Sequence, residues 1–122
     1  MSCRINYVMR DGLLRAVVSG RATWRDAMWL ARDIVEQATS QATRHILIDV
    51  RHFADRIGML DTIAMVNGDP SMTRGCKVAV LDTMENDHHY ARPEAEARRR
   101  GYLLRSFSSD AEAANWLRYG WH

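Results

Sequence analysis

A chain of 122 residues with 47% apolar content fits one ordinary domain over 1–122, large enough to bury about two thirds of its unfolded-chain surface. A net charge of +2, with a pI near 8.8, is a slight basic excess without the patch that nucleic acid requires. Two cysteines, Cys3 and Cys76, are too few for a disulfide framework and lack C-x-x-C metal spacing, so both read as reduced thiols.

The opening, "MSCRINYVMRDGLLRAVVSG", has Arg4 and then polar residues breaking every apolar run, the pattern of neither a signal peptide nor a membrane span. The expected setting is the cytoplasm, without integral membrane contact. Apolar and polar residues alternate on both sides of Asp11-Gly12, a strong hairpin signal, which predicts antiparallel strands over about Ile5 to Arg10 and Leu13 to Ser19. The period then changes. Trp24, Ala27, Met28, Ala31, Ile34, Val35 and Ala38 fall on one helical stripe, with Thr23 as N-cap and Asp26 favouring the same end.

"HILIDV" is a nearly continuous apolar run, as in a strand covered on both faces. Ile57, Leu60, Ile63 and Ala64 predict a second helix, stopped by Asn67-Gly68 and Pro70. "CKVAVLD" is another buried strand. A third helix follows in "ENDHHYARPEAEARRRG", with Pro93 in its first turn and Gly101 as its stop. Glu94 and Glu96, each four residues before an arginine, predict ion pairs to Arg98 and Arg100 on a solvated face. "YLLRSF" ends the strands, and Ser109 with Glu112 forms a capping-box pattern opening a final helix. Trp24, Trp29 and Trp116 all fall on helices and are expected to pack on the sheet.

This order predicts an α/β fold: a mixed sheet of about five strands, an N-terminal hairpin followed by parallel strands, covered by about four helices. Ligands collect beyond the carboxyl ends of parallel strands in such sheets, here at Asp49-Val50-Arg51-His52 and Leu81-Asp82-Thr83. If Asp49, His52, Asp82, His88 and His89 meet there, they offer enough donors for a metal or an acid-base pair; the bland reading is that the aspartates cap loop amides. No G-x-S-x-G, P-loop or G-x-G-x-x-G sequence is present, and no cofactor is expected.

With "HILIDVR" as central strand, "CKVAVLD" as the next and "GYLLRSFSSDAEAANWL" as the ending, the chain resembles the STAS-like family often labelled SpoIIAA-like, whose fold is related to the CRAL-TRIO lipid-transfer domain. The best understood members are anti-sigma factor antagonists switched by phosphorylation of a serine at a helix N-terminus. The family's Asp-Ser-Ser-Gly pattern falls here on Ile57, Gly58, Met59 and Leu60; "FADRIGMLDT" holds no serine, and Thr62, the nearest hydroxyl, is about a turn inside the helix. The resemblance therefore implies the fold and a regulatory or binding role without that switch.

The expected activity is non-enzymatic binding of a protein partner or a small apolar ligand, with a homodimer allowed. Phe53, Ile57, Met59 and Met84 would give apolar contacts, His52 and His88 polar ones, beside the strand ends at Asp49 and Asp82. The rival is a small metal-dependent or acid-base enzyme using Asp49, Asp82 and His88.

Overall fold

In the computed structural model the described residues are 3–21, 23–54, 75–83 and 90–120, apart from the side chains of Trp24 and Ala27. They form β1 (Cys3–Arg10), β2 (Leu13–Gly20), α1 (Trp24–Ser40), β3 (His45–Phe53), β4 (Lys77–Leu81), α2 (Ala91–Arg99), β5 (Leu103–Phe107) and α3 (Asp110–Tyr119). The five strands lie in one sheet in sequential order, with β1 antiparallel to β2 and every later pairing parallel. The expected mixed sheet is present. Three helices are described against the four expected, and the predicted helix at Ile57 to Ala64 lies outside the described residues.

Local chemistry accounts for the elements. Asp11 and Gly12 both have positive φ, 54° and 76°, the backbone of the two-residue turn whose twist matches its flanking strands, and Arg10 pairs with Leu13 to close it. Thr23 and Asp26 form a reciprocal capping box at the start of α1. Ser109 accepts from the Glu112 amide to start α3.

Sequential parallel strands joined by right-handed crossovers send each crossover helix to the same face. The two described crossovers do so. On that face α1 contributes Leu30, Ala31, Ile34 and Ala38, and α2 Ala97, to the larger core with Leu14, Ala16, Ile46, Ile48, Val78 and Val80. On the other face α3 alone, among the described elements, covers Leu13, Leu47, Ala79 and Leu81 with Ala113, Trp116 and Leu117.

Two side-chain expectations change, at Trp29 and Glu94, while the cysteines remain thiols as expected. Trp29 lies off the α1 stripe and is 48% exposed, not packed on the sheet. Glu96 pairs with both Arg99 and Arg100, whereas Glu94 turns back to accept the Ser106 amide of β5 at 3.2 Å. Cys3 and Cys76 are buried and not joined in a disulfide; β1 and β4 are three strand spacings apart, about 14 Å, too far for a bond between them.

Lys77, the sole lysine of the chain, holds the far end of α3. Its ammonium donates to the Gly120 carbonyl and sits 5.4 Å from the Trp116 ring centroid, placing a cation at a helix C-terminus. A Cβ at Gly120 would come within 2.6 Å of the Trp116 carbonyl oxygen, so the chain needs glycine to pass this close. Lys77→Met keeps the aliphatic stem and removes the charge. Urea unfolding of that variant should show a loss of about 1–2 kcal/mol.

Candidate functional site

The carboxyl ends of β3 and β4 are the sequence-based candidate, and a bulge between β2 and β3 decides what the first of them presents. Val17 pairs with Asp49, but Ser19 pairs with His52, so Val50 and Arg51 together oppose one residue of β2. The Asp49 carboxylate closes the bulge by accepting the Arg51 amide at 3.1 Å, and it takes the same residue's guanidinium in a fork at 3.0 and 2.8 Å. The extra residue reverses the alternation that follows. Phe53 turns into the larger core at 1% exposure, and His52 is left exposed.

Asp82 has a different surrounding. The β3–β4 register pairs Asp49 with Leu81, so Asp82 is one residue further on and addresses the opposite face. There, at 1% exposure, it accepts from the Tyr90 hydroxyl at 2.5 Å and from the Thr83 amide at 2.7 Å. The two aspartates are on neighbouring strands, but they do not converge. Among the described residues no three His, Cys, Asp or Glu side chains group as a metal set. Ile57, Met59, Met84, His88 and His89 lie outside the described residues.

A second ion pair extends the first on the α3 side of the sheet. Arg15, in the middle of β2, forks onto Asp110, the first residue of α3, at 2.9 and 2.6 Å. Arg15, Asp110, Arg51 and Asp49 act on one another electrostatically and alternate in sign. The sequence reading passed over both arginines. The available signals were Arg15 as a charge inside an apolar strand, and Arg51 two residues beyond an aspartate.

The arginines also set the acid behaviour. The hydrogen bonds from Arg15 hold the Asp110 carboxyl below the ordinary aspartate range. Burial pushes Asp49 up, but the hydrogen bonds and charge of Arg51 outweigh it, and it too ends low. A folded-state pKa below the unfolded value of about 3.9 gives stability that is present above that pH and lost as pH falls through the folded value. Urea midpoints should therefore drop on going below about pH 4. The drop should be smaller in Asp110→Asn, and an equal drop in both proteins would contradict the assignment.

With the fold in view, comparison with solved structures is informative. The chain is similar to an anti-sigma factor antagonist from Mycobacterium paratuberculosis, with a TM-score of 0.62 at 13% identity, covering 96% of this chain and 95% of that one. It is also similar to an uncharacterised protein with a SpoIIAA-like fold from Shewanella loihica, with a TM-score of 0.52 at 14% identity, covering 95% and 94%. The fold is STAS-like, of the SpoIIAA-like type. No family model and no curated protein matches the chain.

In this SpoIIAA-like sheet the strand ends carry an exposed imidazole, a half-exposed guanidinium held by Asp49, and a buried Asp82–Tyr90 bond on the other side. Polar recognition of a surface is within reach of the first two. Among the described residues no helix is long and apolar enough to cross a membrane.

Proposed function

We propose that this chain is a single, non-enzymatic regulatory domain of the cytoplasm that works by binding a protein partner at the carboxyl end of β3. The observation that carries the reading is the bulge at Val50–Arg51, because it withdraws Phe53 into the core while leaving His52 and the Asp49-bound Arg51 at the surface. What faces outward there is polar, with Arg51 held in place by Asp49, which suits a protein surface. The anti-sigma factor antagonist among its structural neighbours supports the same class of partner.

The small apolar ligand has less support. Phe53 is a core residue, and the other apolar contacts expected for it, Ile57, Met59 and Met84, are not among the described residues. Catalysis by Asp49 and Asp82 is disfavoured for a geometric reason: each carboxylate is engaged by its own neighbours on its own face of the sheet.

His52→Glu introduces a carboxylate at this exposed surface position without touching either core. In quantitative capture from the native cell, one or more proteins retained by the parent chain should fall at least about tenfold with His52→Glu, a cost of about 1.4 kcal/mol, and be unchanged with Arg99→Glu on the far side of α2. Equal retention by His52→Glu would exclude this strand end as the contact.

A further inference from the structure

The two edges of the sheet are treated differently. On β5 the edge is short, five residues, and the Ser106 amide is covered by the Glu94 carboxylate. Strand β1 is eight residues long, runs "CRINYVMR" without proline, glycine, lysine or bulge, and among the described residues pairs with β2 alone. Edges of that length are ordinarily blunted by such devices, because a row of free amides and carbonyls invites another strand. Three exposed large apolar side chains lie along the same edge. Of the four among the described residues, Val8 at 50% and Met9 at 36% belong to β1 itself. Trp29, at 48%, sits one helical turn before Asp33, which bonds the Tyr7 hydroxyl, so it shares the side of α1 that borders β1.

We propose that β1 is a homodimer interface, pairing antiparallel with β1 of a second copy across a twofold axis to make one continuous sheet. A twofold contact must be self-complementary, and the sequence of β1 permits that in a particular register. The Arg10–Leu13 pair closing a two-residue hairpin exchanges both hydrogen bonds, so the even-numbered residues of β1 bond to β2 and the amides and carbonyls of Ile5, Tyr7 and Met9 point outward.

Centring the axis on Tyr7 would set Arg4 opposite Arg10 of the second copy, a like-charge pair that opposes association. Centring it on Asn6 sets Ile5 opposite Tyr7, Cys3 opposite Met9 and Arg4 opposite Val8, using the whole strand from Cys3 to Met9 with no like charges directly opposite. On the α1 face it continues the larger core, against which Ile5 and Tyr7 already pack. An acidic or extended peptide from another protein would satisfy the same amides, but it would not require the self-complementary side chains.

The test is sedimentation velocity of the full chain over a concentration series, with two variants at exposed positions. The parent should sediment as a dimer whose fraction rises with concentration. Val8→Lys, which sets a lysine opposite Arg4 of the second copy and guards the edge, should be monomeric, with an unchanged far-ultraviolet spectrum. Asn6→Cys places two thiols on the axis at a pair that exchanges no hydrogen bonds, where Cα atoms are about 4.5 Å apart, within disulfide reach. Oxidised glutathione should link it into covalent dimers, while Arg105→Cys on β5 stays monomeric. A parent that remains monomeric at every concentration overturns the proposal, as does a dimer that Val8→Lys leaves intact or that Asn6→Cys fails to trap.

Discussion

Phe53→Ala is expected to lower the unfolding free energy by about 3–5 kcal/mol, one of the largest effects of any single truncation here. The cost follows from burial at 1% exposure within the larger core, where the lost ring removes both transfer free energy and packing contacts. Its neighbour provides the contrast. His52 is exposed, and His52→Ala should stay within about 0.5 kcal/mol of the parent. Urea unfolding monitored by tryptophan fluorescence distinguishes the two. A Phe53→Ala variant of near-parental stability with weakened partner binding would return Phe53 to the surface and remove the structural basis of the bulge.

Asp82→Ala is expected to cost about 2–4 kcal/mol. Both Asp82 and Tyr90 are 1% exposed, and the substitution deletes the acceptor of the 2.5 Å hydroxyl bond and of the 2.7 Å Thr83 amide bond. Tyr90→Phe should cost somewhat less, about 1–3 kcal/mol, because the ring still fills its site. The double variant should be less destabilised than the sum of the two by about 1 kcal/mol or more, the coupling expected of groups in direct contact. Strict additivity would show that the two act separately. Stabilisation of the parent by added divalent cations, lost in Asp82→Ala, would instead support the rival metal-dependent reading.

Much of this fold was readable in the amino-acid order because the local signals agree with one another. Asp11-Gly12 supplies the positive φ values that its turn demands, Thr23 and Asp26 cap the start of α1, and the run Ile46 to Ile48 is apolar because β3 is covered on both faces. Even the parallel order follows from strands alternating with helices.

The site was less legible, for physical reasons. "DVRHF" contains no glycine or proline to announce a bulge; what closes it is the Arg51 amide donating to the Asp49 carboxylate, a contact any Asp-x-x could make or omit. The sequence pattern ends the strand at Val50 and leaves Phe53 in the loop beyond it, which is why Phe53 reads as a surface contact; β3 in fact runs on through the bulge to Phe53. Asp49 and Asp82 each follow an apolar run in the sequence, so they read as a pair. A register offset of one residue sends them to opposite sides. Helical spacing assigns Glu94 to Arg98, but the edge of β5 offers the part-buried Ser106 amide nearby, and that bond replaces an exposed ion pair of little worth.

The most direct test of the central claim, that the carboxyl end of β3 meets a protein, is a photo-cross-linking amino acid placed at position 52 and, separately, at position 99 in the native cell. The account predicts that position 52 yields discrete higher-mass adducts containing a second protein and that position 99 yields none of them. Identical adduct patterns from the two positions, or adducts from position 99 alone, would contradict it.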